Sequence, residues 1–343
     1  MKIAIHNRPG SFSDRWIKYC MVNGLPYKVV DCYDNYIIDK LHDCDILMWH
    51  HHHGDLKDVL FSKQLLFSIE QLGKHVFPDF NTNWHFDDKV GQKYLLESAN
   101  VPMVPSYVFY NKQEAKEWIN NTSFPKVFKL RGGAGSTNVK LIKSKLEAER
   151  IVKLAFSRGF SQFDKLGNLK ERYIKFKEGR DSFSGLLKGL GRLFFITEYA
   201  KMKNRERGYV YFQDFVPNNK YDIRIIVIGD RAFGIKRMVR NNDFRASGSG
   251  NIFYDKNQID ENCVRIAFNA NEKLKSQSIA FDFVFDSNGN PLIVEISYGF
   301  DVKAYDFCPG YWDKNMLWHD GKFNPQEWMV QNVVNKLIEK NND

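Results

Sequence analysis

Short apolar runs of period two alternate along the chain with amphipathic stretches of period near 3.6, which predicts strands and helices in turn. Residues 2–6 read as a strand and residues 12–24 as a helix closed by Gly24. Strands follow at 27–33 and 44–51, a helix at 61–74 and a further strand at 75–79. Such alternation predicts a small α/β unit with parallel strands, ending near residue 83. Beyond it the spacing predicts a helix over 87–100, an extended run over 101–110 and a helix over 113–121. Strands at 126–130 and 139–144 flank a glycine-rich turn at 131–138, a hairpin pattern. A helix begins at 147, and residues 156–207 form a stretch rich in Lys, Arg and Gly. That stretch suits either a solvated helical insertion or a lid that holds an anionic acceptor.

From 209 the pattern turns to β. Residues 209–216 form one strand, residues 221–239 two strands around Gly229–Asp230, and residues 279–297 a hairpin around Asn288–Gly289. Helices are predicted at 261–277 and, closing the chain, at 326–340. The expected division is 1–83, 84–212 and 213–343, with the basic insertion inside the middle part.

Composition narrows the function classes. Apolar residues make up 43% of 343, with 28 Phe and 16 Tyr, so a large packed core is expected rather than disorder. The net charge of +9 suits nucleic acid, an anionic membrane surface or anionic small substrates. Its even spread along the chain argues against a nucleic-acid tail. Five Cys without a CxxC pair predict reduced thiols and a cytoplasmic location. No stretch is apolar enough to predict a membrane span.

The candidate chemistry begins with Asp282 and Glu295, on the two strands of the last hairpin. Carboxylates on paired strands can share a face and hold Mg²⁺ beside phosphate. Ser297 follows Glu295 by two residues and points the same way. Both carboxylates sit within apolar strands, where a charge needs a partner. A solvated acidic pair is the plain alternative. The turn containing Gly132, Gly133, Gly135 and Ser136 lets backbone N–H groups approach phosphate, with Lys126 and Lys129 on the strand before it. It is not a Walker A sequence, since no Gly-Lys-Ser/Thr follows. Asp222, Arg224, Lys236 and Arg237 lie on the 221–239 hairpin, with Arg240 and Arg245 beyond. Such cations stabilise charge in phosphoryl transfer, or line a basic sheet face.

Taken in order, these elements resemble the ATP-grasp superfamily, and within it the glutamate-ligase-like, carboxylate–amine ligase branch. The resemblance covers about residues 86–300. It implies an ATP-grasp fold: an N-terminal Rossmann-like preATP-grasp domain and two α+β subdomains clasping ATP. Lys89 matches the lysine of the family's nucleotide-contacting helix, and Lys129 its second lysine before the phosphate-covering loop. Gln213, Asp214, Phe215 and Val216 fall at the adenine hinge, and Asp222 where a ribose carboxylate stands. Asp243-Phe244-Arg245 matches a segment that meets phosphate or acyl phosphate. Asp282 and Glu295 match the metal carboxylates, but Ser297 stands where that branch usually carries Asn.

The implied reaction is Mg-ATP-dependent joining of a carboxylate to an amine through an acyl phosphate. Arg224, Arg245 and Lys236 are its catalytic candidates. Two Mg²⁺ ions are expected, with Mn²⁺ as an alternative, and a homodimer is also expected. His50, His51 and His52, at the end of a predicted strand, and Tyr298 are substrate candidates; for the histidines a surface or packing role and a metal-binding role compete. Tyr305, Tyr311, Trp312, Trp318 and His319 are either core or a platform for an acidic sugar or glycan carboxylate. The rival functions are an ATP-grasp kinase that stops at a phosphorylated hydroxyl and a non-catalytic nucleic-acid-binding protein.

Overall fold

The computed structural model describes residues 1–132, 138–161, 205–240, 243–246 and 250–342. The chain divides into two compact units. The larger comprises residues 1–86, 91–103 and 217–343, the smaller residues 87–90 and 104–216.

The larger unit opens with β1 (Ile3–His6), α1 (Phe12–Val22), β2 (Tyr27–Val30), α2 (Ile37–Lys40), β3 (Ile46–Met48), α3 (Leu56–Gln71), β4 (His75–Phe77) and α4 (Phe80–Asn83). The four strands form a parallel sheet in the order β2-β1-β3-β4. Helix α1 starts where the Ser11 side chain accepts the Ser13 N–H, and it buries Phe12, Trp16 and Cys20, a four-residue spacing that keeps them on one face. Helix α5 (Lys89–Ser98) follows.

Among the described residues the smaller unit is an antiparallel sheet with two helices. Its elements are β5 (Ser106–Phe109), α6 (Lys112–Asn121), β6 (Lys126–Lys129), β7 (Lys140–Ile142), α7 (Lys145–Ala155) and β8 (Val210–Asp214), with strand order β5-β8-β6-β7. The β6–β7 hairpin expected around the glycine turn is present, with Lys126 opposite Ile142. Phe128, Phe212 and Val210 pack with Ala115, Ile119, Ala148 and Val152 of the helices. The opposite parity, Lys129, Tyr211 and Gln213, therefore occupies the other face.

The rest of the larger unit is β9 (Tyr221–Ile228), β10 (Arg231–Met238), β11 (Ile252–Phe253), α8 (Glu261–Leu274), β12 (Ser278–Phe285), β13 (Pro291–Ser297), β14 (Gly310–Asp313), β15 (Trp318–Asp320) and α9 (Pro325–Asn342). These strands run in the order β13-β12-β9-β10-β14-β15, with β11 paired to β10. The β9–β10 turn is tight. Gly229 has φ +59, a left-handed conformation in which this turn favours glycine.

Strand alternation divides this sheet's residues cleanly. Ile223, Ile225, Val227, Ile279, Phe281, Phe283, Ile293 and Ile296 pack against α8, which buries Cys263, Val264, Ala267, Ala270 and Leu274. On the other face Ile226, Phe233, Ile235 and Ala280 pack with Ile3, Ile5 and Met48 of the parallel sheet and with Met329 and Val333 of α9. Each Val, Leu, Ile, Phe or Met among them contributes about 1.5–3 kcal/mol on full burial. Through this shared core residues 1–86 and 217–343 belong to one compact unit. Among the described residues no helix is long and apolar enough to cross a membrane.

Candidate active site

The face of the large sheet that packs on the parallel sheet turns polar at one end. Register puts Arg237 opposite Asp222, Arg224 opposite Asp282, and Asp282 opposite Glu295. Opposed residues on antiparallel strands share a face, so all five point the same way. The side chains form a continuous lattice. Arg224 donates from Nε and Nη2 to the two Asp282 oxygens at 2.5 and 2.6 Å. Arg237 donates to both Asp222 oxygens at 2.7 and 2.6 Å, and its Nη2 also reaches Asp282 Oδ1 at 2.9 Å. Two-pronged guanidinium–carboxylate pairs fix orientation as well as charge. Burial alone would push the Asp282 carboxyl up, but the guanidiniums of Arg224 and Arg237 outweigh it and hold it well below the usual carboxylate range. Tyr305 is buried beside Arg224, and burial raises its hydroxyl above the ordinary value.

Glu295 is half-buried on β13, and the pairing shifts register between Asp282 and Phe283. Opposed side chains of this kind have Cβ atoms roughly 5 Å apart. Among the described residues no group of three His, Cys, Asp or Glu side chains is assembled for a metal. The donors present nevertheless fit Mg²⁺, which commonly takes one or two carboxylates and completes its shell with phosphate oxygens and water. Asp282 accepts three N–H bonds out of about four lone-pair positions, which leaves one for a cation. Ser297 donates its hydroxyl proton to the Gly299 carbonyl at 2.9 Å, so its oxygen keeps its lone pairs.

In the smaller unit Lys89 and Lys129 are each only 5% exposed, and a buried ammonium needs an anion or dense hydrogen bonding. Lys89 is set by its backbone N–H, which donates to the Arg131 carbonyl at 2.9 Å. On the same face as Lys129, Ser106 Oγ accepts from Tyr211 Oη at 2.9 Å and Gln213 Nε2 at 3.1 Å. Asp214 has the opposite parity from Gln213. Its carboxylate takes the Lys126 ammonium at 2.5 Å, beside Tyr107 and Trp118 on the helix-covered face. Its N–H donates to the Pro105 carbonyl. Strand alternation thus separates Asp214 from Gln213. Phe215 and Val216 follow at the end of β8. Gly132 is described, with a Cβ position 3.4 Å from the Asp87 carboxylate. Gly133, Gly135 and Ser136 lie outside the described residues, as does most of the 156–207 insertion.

Several predicted site residues stand elsewhere. Lys236 pairs with Ile223 and so lies on the α8 face, opposite to Arg224. There its Nζ lies 4.1 Å from the Tyr221 ring centroid and donates to Gln258 at 3.0 Å. His50 stacks on Phe12 at 3.6 Å between centroids, and its Nδ1 accepts the Phe12 N–H at 3.1 Å. His51 is buried with Nε2 2.7 Å from Asn83 Oδ1. Burial lowers both histidines, His51 to about 3, so both are neutral packing groups. Tyr298 is fully buried and donates to the His51 carbonyl at 2.6 Å. His52 is exposed; its Nδ1 accepts the Gly54 N–H, and its own N–H donates to Asp58. Trp312 and Tyr305 are also core. Arg245 is held by Asp243, with Nη2–Oδ2 at 2.6 Å. The bridge made by Arg237 was not foreseen. Its signal was the two-residue alternation shared with Asp222 and Arg224 across a turn of known length.

The larger unit thus joins a parallel sheet through a shared core to an antiparallel sheet that bears a carboxylate–guanidinium lattice, and the smaller unit is a sheet with buried lysines. Known proteins share this fold. Residues 198–306 match the RimK-like ATP-grasp domain. The alpha-aminoadipate–LysW ligase LysX of Saccharolobus solfataricus is 24% identical over 232 residues, 67% of this chain and 68% of that protein. The RimK domain ATP-grasp protein of Sphaerobacter thermophilus superposes with a TM-score of 0.54 at 14% identity, over 97% of this chain and 99% of that one. The D-alanine–D-alanine ligase of Bacillus anthracis, solved with ATP, gives 0.56 at 12% identity over 99% of each. The chain has the fold of ATP-grasp proteins, and its residues 198–306 are similar to the RimK-like ATP-grasp domain.

Proposed function

We propose that the protein is a Mg-ATP-dependent ligase that activates a carboxylate as an acyl phosphate and joins it to an amine. The observation that carries this reading is the Asp282 carboxylate, held by two guanidiniums and directly opposite Glu295. In this reading a substrate carboxylate oxygen attacks the γ-phosphorus of ATP and ADP leaves. The amine nitrogen then attacks the acyl carbon, phosphate leaves, and the nitrogen loses a proton. Arg224 and Arg245 supply positive charge toward the phosphoryl group as negative charge develops on it. Arg237 orients Asp222 and Asp282. Asp282 and Glu295 would hold Mg²⁺, which supplies charge neutralisation at phosphate oxygens. Lys89 and Lys129 supply fixed ammonium groups for nucleotide phosphates, and Gln213 a side-chain amide for the base.

Tyr298, Tyr305 and Trp312 are core residues, so they give no support to a sugar-stacking platform. The carboxylate substrate is left as a class. The test is a phosphate-release screen of carboxylates against amines with Mg-ATP, with products weighed by mass spectrometry. An amide whose formation requires both substrates supports the ligase. ADP formed with a phosphorylated product and no amine requirement replaces it with a kinase.

A further inference from the structure

In the smaller unit, Lys129 pairs with Tyr211 at the last position of the β6–β8 register. Two residues beyond Lys129 stands Arg131, and two before Tyr211 stands Tyr209. The acceptor here is a side chain. The Arg131 N–H donates to Tyr209 Oη at 2.7 Å and, more weakly, to Glu206 Oε2 at 3.3 Å. The Tyr209 hydroxyl donates in turn to the same Glu206 oxygen. The direction of this relay is fixed. An N–H only donates and a carboxylate only accepts, so the hydroxyl takes from Arg131 and gives to Glu206. Burial, and after it the Glu206 carboxylate, raise the Tyr209 hydroxyl above its ordinary value, so it keeps the proton that the relay needs.

The other polar group of Arg131 is also held, since its carbonyl accepts the Lys89 N–H at 2.9 Å. Segments distant in sequence thus grip one residue from both sides. That residue ties together the two buried lysines. Lys89 is bonded to it directly, and Lys129 precedes it by two residues, at most about 7 Å of chain. Each lysine is only 5% exposed, so packing limits its swing and the main chain that carries it sets where the ammonium stands. Glu206 borders the glycine turn as well: a Cβ at Gly132 would lie 3.7 Å from its Oε1. Lys89, Lys129, Arg131, Glu206 and Tyr209 all belong to the smaller unit.

We propose that Tyr209 is a positioning residue for the nucleotide phosphates: its hydroxyl, oriented by Glu206, fixes the Arg131 peptide and through it the spacing of Lys89 and Lys129. This rests on the assignment of those lysines to nucleotide phosphate under the proposed function. Tyr209 itself touches no phosphate in this account. Its contribution is to the phosphate end of the ligand and not to the base.

The test titrates Mg-ADP calorimetrically into the full chain, and adenosine by ligand-observed NMR, which reads weak binding. Tyr209→Phe removes only the hydroxyl. It should weaken Mg-ADP roughly fivefold or more, as expected for one lost hydrogen bond at a positioned site, and leave adenosine within about twofold. Glu206→Ala should match that loss, whereas Glu206→Gln, which keeps an acceptor oxygen for the hydroxyl, should hold Mg-ADP within about twofold of wild type. The two Glu206 variants make the same comparison if Tyr209→Phe does not fold. Wild-type Mg-ADP affinity in Tyr209→Phe, or an equal loss of adenosine and Mg-ADP, overturns the proposal, because a general structural role would weaken both ligands alike. Wild-type protein that binds no Mg-ADP removes the nucleotide reading and this inference with it. Wild-type Mg-ADP binding that Tyr209→Phe leaves unchanged removes the inference alone.

Discussion

Asp282 stands directly opposite Glu295 on neighbouring antiparallel strands, one residue before the register of that pair shifts. A bulge interrupts the pairing there before it resumes at Phe283 and Ile293, and both carboxylates stand at the polar end of an otherwise apolar face. Glu295→Gln keeps the size and hydrogen bonding of the side chain and removes its charge. Phosphate release should fall on the order of 100-fold or more, in the range lost when one charge-stabilising group is removed from an active site. Steady-state kinetics at saturating Mg-ATP measures it, and wild-type turnover would remove Glu295 from the site.

Lys236 tests the sheet's two faces against each other. It points to the α8 side, where Gln258 and the Tyr221 ring occupy it. Lys236→Met should leave turnover within about twofold, as is usual for a surface cation away from the reacting groups. Arg224→Met, one position across the β9–β10 pairing but on the other face, should abolish it. Equal loss in both would mean that Lys236 reaches the chemistry.

Ser297 gives the metal site a neutral oxygen whose proton is spent on the Gly299 carbonyl. Ser297→Asn places a longer amide oxygen on the face shared with Glu295. The Mg²⁺ concentration at half-maximal activity should fall several-fold, since an added oxygen donor strengthens a site that has few. An unchanged or raised requirement would show that position 297 does not face the ion.

Stability should depend on pH through the buried histidines. Burial lowers His51 to about 3 and His85 to about 4, from 6.5 when unfolded. Below pH 6.5 the unfolded chain binds protons that the native chain does not, so stability is full above that pH and is lost as pH falls toward 4. Each histidine contributes about 1.4 kcal/mol per pH unit across that window. Urea midpoints between pH 7.5 and 4.5 measure the slope, and His51→Gln should reduce it by one histidine's share. The same slope in the variant would mean that His51 is not neutral in the native state.

Much of the fold was legible because local pattern and tertiary demand agree. The alternation in β9 and β12 is also the division between the α8 core and the lattice face, and the Gly229 turn holds β9 and β10 in register. Asp282, Glu295 and Arg224 could be singled out as charges inside apolar strands. The aromatic hairpin β14–β15 was not legible as strands, since its Trp and Tyr residues suit a core and a ligand platform equally. For His50 and His51 the position at a strand end suggested a ligand contact, whereas their stacking on Phe12 and bonding to Asn83 depend on segments distant in sequence.

What the amino-acid order determined by itself was periodicity: which segments are helix or strand, and which residues of one strand share a face. Periodicity is local, set by backbone geometry within a few residues. Only the tertiary structure decided which strands became neighbours, and so which charges met. Arg237 bridges Asp222 and Asp282 because β9 lies between β10 and β12, an order that depends on the core shared by the parallel sheet, α9 and the large sheet. The same register turned Lys236 away from the lattice, since contacts between distant segments are fixed by burial and not by spacing.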